Sequence, residues 1–150
     1  MKRIMIDYTK CDGCKNCTAA CMQAHRERPG TVYDLDLTDP SNESRNHIAA
    51  DGKGGYLPII CRHCDSPECA MSCMSGALSK DSSTGIVSYD EKKCGSCFMC
   101  VMNCPYGVLK PDTLTRAKVI KCDFCMETGG EPNCVKNCPK KAIWVEEVQA

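Results

Sequence analysis

Apolar residues along this chain come in short clusters and never in a long run. Five stretches, Lys2–Asp7, Tyr56–Ile60, Ile86–Tyr89, Ala117–Ile120 and Ala142–Glu146, are mostly rich in β-branched residues and predict short strands. Four others, Lys15–His25, Pro67–Met74, Phe98–Cys104 and Pro132–Cys138, predict short helices that carry the last cysteine of a cysteine-rich loop. The order recurs as strand, loop, helix, turn and strand. Between residues 26 and 55 the pattern lapses. Thr38-Asp39-Pro40-Ser41-Asn42-Glu43-Ser44 and Asp51-Gly52-Lys53-Gly54-Gly55 read as surface loop, a solvated linker first and a docking element second. Gly52-Lys53-Gly54-Gly55 lacks the Ser/Thr and spacing of a phosphate-binding loop. No apolar run approaches the ~20 residues that span a bilayer.

Such a pattern leaves little to bury. Of the 43% hydrophobic fraction, about 32% remains once cysteine is set aside, with two Phe and one Trp. Inorganic clusters can fill an interior in place of side chains, and metal–ligand free energy then becomes folding free energy. The apo chain is therefore expected to be largely unfolded.

The sixteen cysteines fall into four groups of four: Cys11, Cys14, Cys17, Cys21; Cys61, Cys64, Cys69, Cys73; Cys94, Cys97, Cys100, Cys104; and Cys122, Cys125, Cys134, Cys138. The third group is the run C-x2-C-x2-C-x3-C-P, ending at Pro105, and the fourth also ends in Cys-Pro at Pro139. That run is the signature of cubane [4Fe–4S] ligation. Three closely spaced thiolates wrap one cube, while the fourth cysteine lies about one helical turn or ~6 Å further on and cannot reach the same cube. It ligates a neighbouring cluster, so groups exchange fourth ligands in pairs. Sixteen ligands serve four [4Fe–4S] clusters, and adjacent or nested pairing of the groups both satisfy the spacing. Zinc is the rival metal, but it leaves the triple runs ending in Cys-Pro unexplained. A disulfide scaffold needs an oxidising compartment. Met1-Lys2-Arg3-Ile4-Met5-Ile6-Asp7 lacks the apolar core and cleavage site of a signal peptide, so a soluble cytoplasmic protein is expected.

The formal net charge of +0 counts every cysteine as neutral. Ligating thiols are deprotonated, so the loaded protein carries about −8 when oxidised and about −12 after four one-electron reductions. Nucleic acid is excluded as a partner on that balance, and a basic protein surface fits it. His25, His47 and His63 are too scattered for a catalytic site, and His63 is expected to hydrogen-bond a cluster sulfur or lie at the surface. Met22, Met71, Met74, Met99 and Met102 are read as pliable packing around the cubes. Phe98, Tyr106 and Phe124 are read as water-excluding shields or as plain core, and Lys140 and Lys141 as a turn or part of a docking patch. No arrangement for bond chemistry is present, and the expectation is electron transfer without catalysis.

The runs Cys61-Arg62-His63-Cys64-Asp65-Ser66-Pro67-Glu68-Cys69, Cys94-Gly95-Ser96-Cys97-Phe98-Met99-Cys100-Val101-Met102-Asn103-Cys104-Pro105-Tyr106-Gly107 and Lys121-Cys122-Asp123-Phe124-Cys125 resemble the four-cluster iron–sulfur subunits of the dimethyl-sulfoxide-reductase class. Cys73-Met74-Ser75-Gly76-Ala77 and Cys100 to Gly107 look most similar to the small ferredoxin subunit of nickel-iron CO dehydrogenase. The resemblance implies an α+β fold of two fused bacterial-ferredoxin-like modules in one unit spanning 1–150. Module A comprises 1–25 plus 111–150, module B comprises 56–110, and 26–55 is a loop insertion. It further implies nested pairing: Cys11, Cys14, Cys17 with Cys138; Cys122, Cys125, Cys134 with Cys21; Cys61, Cys64, Cys69 with Cys104; and Cys94, Cys97, Cys100 with Cys73. The implied partners are a CO dehydrogenase catalytic subunit and a downstream flavin-dependent NAD(P)H oxidoreductase or hydrogenase. A formate dehydrogenase or hydrogenase complex is the alternative within the class, and a zinc-binding interaction module the alternative outside it. Met22 and Met74 stand where the ferredoxin pattern has proline after the fourth cysteine.

Overall fold

The computed structural model describes residues 1–148. Its strands are β1 (Lys2–Ile6), β2 (His47–Ala50), β3 (Tyr56–Ile59), β4 (Leu78–Lys80), β5 (Val87–Tyr89), β6 (Lys110–Pro111), β7 (Val119–Ile120) and β8 (Ile143–Glu147). Its helices are α1 (Asn16–His25), α2 (Glu68–Met71), α3 (Met99–Met102) and α4 (Asn133–Lys136). The architecture is mixed α+β, with short strands and short helices alternating along the chain. Among the described residues, strands pair only as antiparallel two-stranded ladders, β1–β8, β2–β3, β4–β5 and β6–β7. Two-stranded ladders are marginal alone in water, so the core has to come from elsewhere.

It comes from two apolar clusters, and each includes cysteines. Ile4, Ile60, Ile86, Phe124 and Ile143 pack with Cys17 and Cys134 in one. Leu78, Val87, Val108, Leu109 and Val119 pack with Cys61 and Cys100 in the other. α1 packs on α4, and α2 on α3. The ends of the described stretch are zipped together: Lys2 lies opposite Glu147 in the ladder, and the Met1 ammonium donates to the Val148 carbonyl at 2.8 Å.

Three of the helices are shorter than the sequence predicts. α2 starts only after Pro67, whose φ of −80° and ψ of 96° are extended, and it ends at Ser72. The turn that follows recurs. Gly76, Gly107 and Lys141 each stand three residues after a fourth cysteine with φ of 67°, 59° and 48°. Each donates its N–H to that cysteine's carbonyl, at 3.2, 3.1 and 3.2 Å from Cys73, Cys104 and Cys138. The chain then runs into β4, β6 or β8 within three residues. The first group departs from this plan, because Cys21 lies inside α1 and the helix runs on to His25.

The stretch between the first two groups does more than link them. Residues 27–34 are exposed, but Ser44 and Asn46 are buried and β2 pairs with β3. Asn46 Nδ2 donates to the Cys17 carbonyl at 3.3 Å, and Glu43 pairs with Lys110 at 2.9 Å. Among the described residues, no helix is long and apolar enough to cross a membrane.

Candidate iron–sulfur sites

Each cysteine loop contains a non-glycine residue in the left-handed region. Lys15 and Phe98 follow Cys14 and Cys97 with φ of 61° and 57°; His63 precedes Cys64 at 47°; Phe124 and Cys125 stand at 62° and 53°. Such backbone costs energy, of order 1–3 kcal/mol per residue, and collects where a loop must curl around a ligand. Two loops are further fixed by an aspartate. Asp12 accepts the Cys14 N–H at 3.2 Å, and Asp123 accepts the Cys125 N–H at 3.0 Å.

The curled loops enclose two matching cavities. One is lined by Cys11, Cys14, Cys17 and Cys138, with Ile48 of β2 and Pro58 of β3 as part of its wall. The other is lined by Cys61, Cys64, Cys69 and Cys104. In both, three thiols of one group meet the fourth thiol of another. The remaining eight cysteines converge less visibly. Burial pushes the Cys134 thiol up to about 12, and Cys21 and Cys125 are its first charged neighbours, ahead of Cys17. Burial also raises Cys100, with Cys73 the first thiol to add to it and Cys94 the next. Cys122 is driven well up by burial and then by Cys61, so the fourth group also faces the second.

These pockets fit an iron–sulfur cofactor. None of the sixteen cysteines is in a disulfide. Crowded, desolvated thiols are poor places to hold negative charge unless a metal takes it. Backbone N–H groups already point at sulfur: Arg45 at Cys21 (3.2 Å), Phe124 at Cys122 (3.4 Å) and Ala142 at Cys138 (3.3 Å). Hydrogen bonds to sulfur and solvent exposure are the levers by which a protein sets a cluster's potential. Exposure is uneven, since only Cys14 and Cys97 are exposed among the sixteen.

Other residues singled out in the sequence divide. His63 is buried at 1% exposure, with its ring edge-on to Phe124 at 5.6 Å. Phe124 is equally buried, whereas Tyr106 is 42% exposed under Arg62 and Phe98 is half-buried. The methionines differ from expectation. Met71, Met74, Met99 and Met102 are exposed, while Met22 on α1 is half-buried. Lys140 and Lys141 are exposed beside the first cavity, which Lys140 lines.

One network was not legible in the sequence. Asp123 accepts from His25 Nε2 at 3.1 Å and pairs with Arg45 at 2.8 Å, tying α1 and the stretch before β2 to the fourth group. Burial disfavours charge on His25, but Asp123 and Cys21 outweigh it and lift the imidazole to about 10. Burial likewise opposes ionisation of Asp123, yet His25 and Arg45 hold it well below the usual carboxylate range. His25, Asp123 and Cys125 offer ligand atoms within 4.8 Å of one another, but the ion pair already occupies the first two. The signal was the aspartate after the first cysteine in both Cys11-Asp12-Gly13-Cys14 and Cys122-Asp123-Phe124-Cys125.

Known proteins agree with this chemistry. The NADH-dependent phenylglyoxylate dehydrogenase subunit beta of Aromatoleum evansii is 34% identical over 145 residues, covering 93% of this chain and 29% of that one. The B subunit of the anaerobic dimethyl sulfoxide reductase of Escherichia coli K12 is 34% identical over 148 residues, covering 92% and 69%. The protein thus spans under a third of the first relative's length. Among solved structures, the active-site complex BamBC of benzoyl-coenzyme A reductase superposes with a TM-score of 0.52 at 26% identity, covering 97% of this chain and 79% of that one. The 4Fe-4S dicluster domain family matches residues 53–148. With its thiol-lined cavities and these likenesses, the protein belongs to the 4Fe-4S dicluster domain family.

Proposed function

We propose that the protein is an electron-transfer subunit of an oxidoreductase complex that relays electrons through four [4Fe–4S] clusters. The observation that carries this is the shared plan of the two cavities. Each joins Cys11, Cys14, Cys17 or Cys61, Cys64, Cys69 to a fourth cysteine from another group, Cys138 or Cys104, as nested exchange requires. The thiols facing Cys134 and Cys100 support the other two sets, Cys122, Cys125, Cys134 with Cys21 and Cys94, Cys97, Cys100 with Cys73. A zinc module built from local cysteine pairs has no use for such distant fourth ligands.

When bound, the clusters supply the one-electron redox chemistry, and the chain supplies spacing, exclusion of water and tuning. Cys134 facing Cys17, and Cys122 facing Cys61, support a row in which the sets led by Cys11, Cys122, Cys61 and Cys94 follow in that order. The exposed Cys14 and Cys97 then mark its two tips. The β1–β8 ladder and α1–α4 contact support a module of 1–25 plus 111–150, and β4–β5 with α2–α3 a module of 56–110. A nickel-iron CO dehydrogenase catalytic subunit is the proposed donor, on the local resemblance of Cys73–Ala77 and Cys100–Gly107, and a flavin oxidoreductase or hydrogenase the acceptor.

Anaerobic isolation tests the core of this reading. About sixteen iron and sixteen sulfide per polypeptide are expected. Cys138→Ser is expected to lose or convert one cluster, and retention of all four signals unchanged refutes nested pairing. Co-purification of CO dehydrogenase from anaerobic extract tests the donor, and capture of a formate dehydrogenase or hydrogenase instead overturns it.

A further inference from the structure

Two buried polar side chains lie where the Cys61 and Cys122 loops face each other, and neither finds its complement in the protein. Lys121 is 5% exposed. Its ammonium donates to the carbonyls of Val87 (2.5 Å) and Cys122 (2.7 Å), and among the described residues no carboxylate lies within ion-pair distance. Burying an unpaired charge costs several kcal/mol, so such a cation calls for a nearby anion. His63 is held by the same residue from its other side. The Val87 N–H donates to His63 Nδ1 at 3.0 Å. An Nδ1 that accepts puts the ring proton on Nε2. That Nε2 is buried with no hydrogen-bond partner, in a side chain that lines the cavity of Cys61, Cys64, Cys69 and Cys104. A buried donor left unmet costs about 1–3 kcal/mol. The anionic acceptor that both groups lack is the thiolate-bound cofactor.

Resting on the four-cluster reading, we propose that Lys121 and His63, both anchored on Val87, set the reduction potentials of the two central clusters. Those clusters sit in the buried middle of the row, away from the exposed Cys14 and Cys97. Burial makes an added electron costly and drives a potential down. Lys121 opposes that penalty with a fixed positive charge, acting on both Cys122 and Cys69 across the junction. His63 adds a directed donor from the Cys61 loop, and its ring packs on Phe124 of the Cys122 loop. Both are positioning residues, since neither ligates.

The test is potentiometric titration of anaerobically purified full-length protein followed by electron paramagnetic resonance, with iron content measured on each sample. Cys138→Ser and Cys73→Ser identify the terminal clusters by the signals they remove. Lys121→Met is expected to make the central clusters at least tenfold harder to reduce, a shift of 59 mV for a one-electron couple, and to leave the terminal ones in place. Lys121→Arg is expected to retain the wild-type values. Equal shifts at all four clusters, or none, with full iron content overturn the proposal. Should Lys121→Met fail to load, Lys121→Gln removes the same charge. Wild type and His63→Gln, both labelled with 15N-histidine, give a further readout: nitrogen coupling to a reduced central cluster that disappears in His63→Gln is expected, and coupling that is absent from wild type or unchanged in His63→Gln overturns the role of His63. Iron far below sixteen per wild-type polypeptide refutes the four-cluster reading itself, and so is told apart from failure of the tuning.

Discussion

Lys141 occupies a turn that the same protein builds elsewhere with glycine, and replacing it isolates the cost of that backbone. Its φ of 48° matches the 59° of Gly107 and 67° of Gly76, and its N–H makes the same bond to the cysteine three residues back. A side chain in the left-handed region costs about 1–2 kcal/mol. Glycine gives back about 0.4–1 kcal/mol through the greater freedom of the unfolded state. Lys141 is exposed and makes no ion pair among the described residues, so its side chain contributes little else. Lys141→Gly should therefore stabilise the folded protein by about 0.5–1 kcal/mol, a factor of roughly three in the folding equilibrium. A Cβ at Gly76 or Gly107 meets nothing within 4 Å. Gly76→Lys and Gly107→Lys are thus clean converses, expected to destabilise by a similar amount. Loss of visible absorbance in guanidinium under anaerobic conditions gives the assay. The turn argument is refuted if Lys141→Gly bleaches as fast as wild type while the converse variants also leave the rate unchanged.

Asp123→Asn keeps the acceptor for the Cys125 N–H but removes the charge shared by His25 and Arg45; about 1–3 kcal/mol should be lost, less than for a fully buried pair, read as faster bleaching. The pH profile carries its signature. His25 has its folded value lifted from 6.5 to about 10, so its contribution is complete below 6.5 and fades as pH rises towards 10. Asp123 is depressed from 3.8, so its contribution is present above that value and is lost on acidification. Cluster lifetime in wild type should fall on both limbs, and in Asp123→Asn both limbs should flatten. Phe124→Ala, at a side chain 1% exposed in the apolar cluster of Ile4, Ile60, Ile86 and Ile143, should cost about 3–5 kcal/mol in denaturant-induced bleaching. Removing the iron with acid or a chelator should abolish most circular-dichroism signal, because two-stranded ladders and helices of four residues cannot persist unaided.

The chemistry was legible from cysteine spacing, and the supporting structure only in part. β1, β3, β5, β7 and β8 were readable because Ile, Val and Tyr cluster there. β2 was not: His47-Ile48-Ala49-Ala50 has one β-branched residue and lies amid Asn, Asp and Gly, and its pairing with β3 supplies what propensity lacks. β4 and β6, Leu78-Ser79-Lys80 and Lys110-Pro111, hold no β-branched residue to mark them. The burial of Ser44 and Asn46 was hidden because polar residues in a Ser/Asn-rich stretch read as solvated until their partners appear, the Cys17 carbonyl of α1 for Asn46 and the Asn46 carbonyl for Ser44. His63 read as a donor to a cluster sulfur or as a surface residue, and Lys121 carried no signal beyond its place before Cys122. Only the placement of Val87 beneath both revealed a buried cation and an unmet donor.

The ladder between β1 and β8 bears on how the protein is made. Of the eight strands, β1 leaves the ribosome before all the others and pairs with β8, which leaves after them, whereas β4 and β5 lie seven residues apart at nearest. Contacts between remote positions form late, because the intervening loop must close before any reward is collected. The middle of the polypeptide can therefore mature while its outer strands wait. Iron delivered during translation would be taken up from the inside outward, leaving the cysteines of the first group the longest unprotected.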